Sequence, residues 1–229
     1  MAGVAVTRQA SHPLTVAALL AFTAGFVDTV GFVALFGLFT AHVTGNFVLI
    51  GASLIDLHAG LLTKLLALPL FVITVALTRL FILRQERRAR DAAMPLLLGE
   101  LLFLGLFLAC GSALAPFDHA DSAAAMVTGF SAVVAMAIQN TASRTIFAAL
   151  APTTVMTGNV TQIVIDLVDV ALVDEQKEAK ARLRKMSPPV LTFAVGALTG
   201  ALAYGFVGFA ALAAPIVAIA GVALIYRPK

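Results

Sequence analysis

Apolar positions along this chain come in long runs: about 14–39, 43–58, 60–83, 94–115, 122–150, 153–173, 188–206 and 208–226, parted by short polar loops. Runs of this length predict helices that sit in hydrocarbon, where an open strand cannot satisfy its backbone. One polar interruption occurs twice. Thr44-Gly45-Asn46 and Thr157-Gly158-Asn159 each open a short apolar segment. Residues 43–58 make a helix of only about 24 Å against a hydrocarbon core of about 30 Å. A turn-prone polar trio at the head of a short helix is the pattern of the interrupted helices found at transporter binding sites.

Charge sharpens the topology. Basic residues concentrate in Arg84–Arg90 and in the stretch Asp174 to Ser187, which carries Lys177, Lys180, Arg182, Arg184 and Lys185 and reads as a wet loop. Both are expected on the cytoplasmic side. Three apolar segments separate them, and three full crossings would put them on opposite sides. If all eight segments cross, the Lys and Arg outside the spans divide nine to four; if both Thr-Gly-Asn segments return to the side they entered, the division is twelve to one, with Arg79 and Arg144 inside spans. The reading is an all-α integral membrane bundle of six full spans plus two short or re-entrant helices, with both termini cytoplasmic; seven or eight full spans is the alternative.

Residues 24–57 laid over 137–170 give eight identities, among them Thr40/Thr153, the two Thr-Gly-Asn trios and Asp56/Asp169. This predicts an internal repeat within one domain, 1–229, with units of about 14–115 and 122–226. Three spans per unit would invert one unit relative to the other and place a site near the midplane.

Candidate chemistry follows from the polar residues left inside the apolar runs. Thr and Asn can cap a helix start and Gly permits close approach, so Thr44, Gly45, Asn46, Thr157, Gly158 and Asn159 are candidate substrate-binding residues at two exposed helix N-termini, which favour an anionic or polar ligand. Gln139 and Asn140, close before the second trio, add amide groups. Asn159, Gln162, Asp166 and Asp169 recur at helical spacing and form a polar stripe, either the wall of a water-filled cavity or the wet face of an interfacial helix. Asp28 and Glu100 lie in mid-span. Intramembrane carboxylates face the bundle interior and carry protons or cations or pair with a base, so Asp28, Glu100 and Asp166 are candidate ion-coupling residues, with Arg79 or Arg144 as the structural partners of the first two. Gly196-Ala197-Leu198-Thr199-Gly200 is a packing pattern. His42 lacks a counterpart in the second copy, where Val155 stands.

Composition excludes most other classes. With 61% apolar and 12% charged residues and a mean hydropathy of +1.01, the chain has no room for a soluble catalytic domain. Its basic residues serve topology rather than nucleic acid. The first apolar run is too long for a signal segment and holds Asp28. Cys110 is the only cysteine, so no internal disulfide is expected. Neither a phosphate loop nor a zinc-protease helix nor a nucleophile elbow occurs, and no enzyme activity, cofactor or metal is expected; Asp118, His119 and Asp121 read as a solvated loop.

The run Gly25-Phe26-Val27-Asp28-Thr29-Val30-Gly31-Phe32, then His42-Val43-Thr44-Gly45-Asn46, the pair Gln139-Asn140, and Val155-Met156-Thr157-Gly158-Asn159-Val160-Thr161 resemble the YoaK-like family of bacterial multipass membrane proteins. The resemblance extends over roughly 14–226. It implies a bacterial cell-membrane location and a domain of unknown function, without a substrate. Two functions stay open: a small-molecule permease, coupled to protons or another ion and taking a polar or anionic solute, or a non-transporting scaffold or accessory protein whose partner is the lipid bilayer.

Overall fold

Where the apolar runs break, backbone geometry shows why. The computed structural model describes residues 12–53, 55, 60–173 and 176–226. Within them the helices are α1 (Pro13–Ala34), α2 (Gly45–Ala52), α3 (Leu61–Arg87), α4 (Ala93–Leu114), α5 (Ala123–Arg144), α6 (Met156–Leu172), α7 (Lys177–Val207) and α8 (Ala213–Ile225), with a 3₁₀ segment at Gly208–Leu212 between the last two. No strand occurs among the described residues. The first run ends as a helix at Ala34 rather than 39: Phe36 and Gly37 take positive φ (54° and 81°), and Gly37 N–H donates to Phe32 O at 2.9 Å, a closure that turns the chain back. α5 stops at Arg144, six residues before its apolar run does. Here Phe147 N–H reaches Ala142 O at 2.8 Å.

Contacts between helix ends fix their directions. Lys64 Nζ, in the first turn of α3, donates to Phe36 O just past the end of α1 (3.0 Å). Thr63 donates to Asp121 Oδ1, before α5, from both its N–H (2.8 Å) and its hydroxyl (2.7 Å). The end of α1 and the starts of α3 and α5 therefore share one face. On the opposite face Tyr226, past α8, donates its hydroxyl to Asp91 Oδ1, before α4 (3.2 Å), and its ring meets that of Phe147, past α5, edge-on at 5.9 Å. Phe209 packs against Gly111 and Phe107 near the end of α4, so α7 ends on the first face and begins on the second.

These directions make α2 leave and return to one face and α6 leave and return to the other. Neither crosses. Five stretches are long and apolar enough to span a membrane: α1, α3, α4, α5 and the composite 177–225. The composite folds back at Gly208 and supplies two crossings, giving six spans plus two re-entrant helices. The basic ends of α3 and α5, the basic start of α7, residue 12 and residue 226 all lie on one face, hereafter the basic face.

The second basic stretch is not a loop. α7 begins at Lys177, three turns before the expected 188, and runs through Pro188 and Pro189. Two contacts hold the extension: Arg182 pairs with Glu178 one turn earlier (3.9 Å) and with Asp166 on α6 (2.7 Å). Thr192 donates to Pro188 O (2.9 Å), the bond to the carbonyl four residues back that Ser and Thr make inside helices.

The core is set by glycine. Gly25 of α1 lies against Phe193 O of α7, Gly196 against Phe22 O, and Gly200 against the backbone and ring of Phe26, with no room for a Cβ at any of the three. Small residues at this spacing let backbones touch, which drives association of helices in lipid. α1 also packs on α8, α5 on α3 and α4, α6 on α7, α2 on α3, and α4 on α8. Exchanging α1–α4 for α5–α8 turns this set of helix neighbours into itself.

Candidate functional site

The trios do not cap their helices. Thr44 and Val155 are the N-cap residues of α2 and α6, and neither cap side chain makes a capping bond. Instead each asparagine staples the bent, non-helical segment that precedes its helix. Asn46, fully buried, accepts from Phe39 N–H (3.0 Å) and donates to Phe39 O (2.9 Å). Asn159, also buried, donates to Pro152 O (2.7 Å), seven residues back, the same spacing as Asn46 to Phe39. Gly45 lies against the Phe39 ring, 2.8 Å from where a Cβ would stand, whereas a Cβ on Gly158 would meet open space. Thr44, Thr157 and Gly158 are exposed.

Each staple presents a short polar turn to a carboxylate or amide on the preceding long helix. Asp28 Oδ1 accepts the N–H groups of Thr40 and Ala41, both at 2.7 Å, and Oδ2 meets His42 Nδ1 at 2.7 Å. The partner of Asp28 is thus neither Arg79 nor Arg144. Arg79 pairs with Glu86 at 3.3 Å near the basic face, and Arg144 is exposed at the end of α5. At the second turn Gln139 Nε2 donates to Thr153 Oγ1 (3.3 Å) and to Leu20 O of α1 (2.7 Å), and Asn140 Oδ1 accepts from Thr154 Oγ1 (2.6 Å).

The two turns meet. Asn140 Nδ2 donates to Ala41 O at 3.5 Å while its Oδ1 holds Thr154, so one side chain bridges a turn entering from one face to a turn entering from the other. The ring of His42 contacts Phe193 of α7 at 5.4 Å. Beside the junction a cavity of about 200 Å³ is lined by Asp28, Thr29, Phe32 and Phe39.

The polar stripe on α6 has a third role, neither cavity wall nor wet face. Asn159 and Asp166 are buried and Gln162 is half-buried, because this edge packs against α7. Arg182 grips Asp166 with Nε (3.1 Å to each oxygen) and Nη2 (2.7 Å), and Gln162 Nε2 adds a bond at 2.9 Å. Ser53, the position matching Asp166, donates to Leu49 O (2.8 Å), and Asp56, the position matching Asp169, lies outside the described residues. Glu100, on α4, is 2% exposed and its Oε1 has no hydrogen-bond partner. Asp121 is no free loop carboxylate: burial pushes it up, but the Thr63 hydrogen bonds, the Leu62 N–H and the charge of Lys64 outweigh this and hold it below the usual range.

Sequence reasoning passed over His42, for want of a counterpart, and over Thr153 and Thr154. Thr40/Thr153 was among the matched pairs, so the second omission had a signal.

Six crossings around two re-entrant half-helices whose polar turns meet define a multipass helical membrane protein. The chain belongs to the family described as Protein of unknown function (DUF1275), which it matches over residues 16–225. It is 28% identical over 228 residues, 96% of each chain, to the UPF0700 transmembrane protein YoaK of Bacillus subtilis (strain 168). No solved structure matches it.

Proposed function

We propose that this protein is a small-molecule transporter of the bacterial cell membrane, a secondary carrier coupled to proton or ion movement, with its solute site where the two re-entrant turns meet. The observation that carries the reading is the bridge at Asn140 between Ala41 O and Thr154 Oγ1. Half-helices that enter from opposite faces and end against each other can open a central site to one side at a time. The symmetric helix neighbours and the asparagine staples at equal spacing favour an inverted internal repeat of about 14–115 and 122–226 as the basis of that exchange. The first N–H groups of α2 already donate to His42 O, Val43 O and Thr44 O, so the N-terminus of α6 is the one that suits a polar or anionic solute. Among the candidate coupling residues, Asp28 stands at the junction, Asp166 holds α6 to α7, and Glu100 lies apart in the core. The basic face is the cytoplasmic one by the charge bias of membrane proteins, with both termini there.

One observation favours the non-transporting scaffold reading. The asparagine amides and the Asp28 carboxylate at the junction already bond to the protein itself, as internal glue would. Purified protein screened by thermal unfolding against small polar and anionic metabolites separates the two. The carrier reading expects a ligand that stabilises the native chain and loses its effect in Asn140→Leu. A flat response across a broad panel supports the scaffold.

A further inference from the structure

Buried side-chain oxygens and nitrogens without any hydrogen-bond partner, among the described residues, are three: Thr23 Oγ1, Glu100 Oε1 and Gln139 Oε1. All are oxygens, one each from α1, α4 and α5. Their placement is common. Gln139 Nε2 bonds Leu20 O, and a helical carbonyl points toward the turn ahead, so the Gln139 side chain lies beside Thr23, one turn past Leu20. Gly99 faces Ile138, its Cβ position 3.6 Å from Ile138 Cδ1, which brings Glu100 to the depth of Gln139. The face of α4 that carries Leu97, Glu100, Leu104 and Phe107 is buried, and α5 and α8, both packed on α4, are packed in turn on α1. Glu100 thus lies on the buried face of α4, the helix that packs on α5 and α8.

Among the described residues no cationic side chain bonds to it. Glu100 is the only charged residue of α4; α8 and the 3₁₀ segment have none; α5 has only Arg144, exposed at its far end; α1 has only Asp28, bound to His42 and the first turn. A carboxyl group in a low-dielectric interior either holds a proton or, if ionised, needs a compensating charge. Hydroxyl, amide and carboxylate oxygens without nitrogen or sulfur suit a hard cation. A monovalent ion makes the site neutral, while a divalent one would leave a net charge in an apolar core.

We propose that Glu100, Gln139 and Thr23 bind one small monovalent cation, of the sodium class, in the core between α1, α4, α5 and α8. The site names the coupling ion of the carrier proposed above and rests on that reading for its use, but its test reads ion binding with no solute present. A flat metabolite screen with an intact ion response removes the carrier and leaves the site standing.

The test is thermal unfolding of the purified full chain in detergent, with sodium chloride replacing choline chloride at constant ionic strength. The expected result is a saturable rise in midpoint with sodium that disappears in Glu100→Gln, and a Thr23→Val protein that folds but needs about ten-fold more sodium for half the effect, as for lost metal-site contacts. A saturable response to potassium or lithium that vanishes in Glu100→Gln also supports the site. Identical midpoints in all four salts would overturn it. So would a full sodium response in Glu100→Gln, an unchanged half-saturation in Thr23→Val if Glu100→Gln does not fold, or stabilisation by acid alone.

Discussion

In the first hairpin Asn46 exchanges two hydrogen bonds with Phe39, Asp28 and His42 hold the turn with ionisable groups, and the eight-residue α2 buries little beyond Asn46. In the second, Asn159 gives its one backbone bond to Pro152, the neutral amides of Gln139 and Asn140 hold the turn, and the longer α6 is clamped to α7 by Arg182 and Asp166. Phe47 and Val48 on α2 are 60% and 74% exposed, so α2 owes its place to its turn, whereas α6 also owes its place to its side. Half-helices of similar design can therefore be fixed at the tip or along the shaft. The tip-held one is the freer to move, since local opening follows sparse burial.

The largest effect is expected where the tip alone holds. Asp28→Ala strips the Thr40 and Ala41 amides of their acceptor and should cost on the order of 3–5 kcal/mol, read by denaturant unfolding in detergent; Asp28→Asn, which keeps one acceptor oxygen, should cost less. Equal losses for the two would show that the amide bonds are not what Asp28 provides. Next comes the shaft of the second hairpin. Arg182→Met should destabilise the chain by less than Asp28→Ala, because Arg182 reaches water, and adding Asp166→Leu should recover much of the loss. Failure of the double variant to recover would mean that the pair does more than neutralise itself.

The staples rank third. Asn46→Ala should cost about 2 kcal/mol and Asn159→Ala about 1 kcal/mol, in proportion to the backbone bonds lost; the reverse order would contradict the account of α2 as tip-held. The smallest effect separates the glycines. Gly45→Ala pushes into the Phe39 ring and should lose about 1 kcal/mol, while Gly158→Ala enters open space and should gain up to about 1 kcal/mol by stiffening a helix. Matching shifts at the two sites would remove the difference in packing.

Much of the architecture was legible because membrane folds write it in long-range terms. Run lengths located every helix, and the clustering of Arg84–Arg90 and Lys177–Lys185 required an odd number of failed crossings between them. The trio pair marked both half-helices. What stayed hidden depends on chain reversal. Asp28 and His42 are 14 residues apart and meet only because Phe36 and Gly37 turn the chain back; Asp166 and Arg182 are 16 apart and meet because α6 and α7 run antiparallel. The charged start of α7 read as a loop because its helix is stabilised by partners on α6 rather than by its own apolar face. Asn140 was visible as a polar residue, but its double engagement requires both turns in place.

That α6 returns to the face it left is the claim on which the junction stands. Side-specific labelling of single cysteines, with Cys110 replaced by serine, tests it directly. Ala89 follows α3 and Glu178 opens α7, and both are exposed on the basic face; His119, exposed before α5, lies on the other. Ala89→Cys and Glu178→Cys should label from one side of the membrane and His119→Cys from the opposite side. Labelling of Ala89→Cys and Glu178→Cys from opposite sides would mean that α6 crosses, and the junction at Asn140 would fall with it.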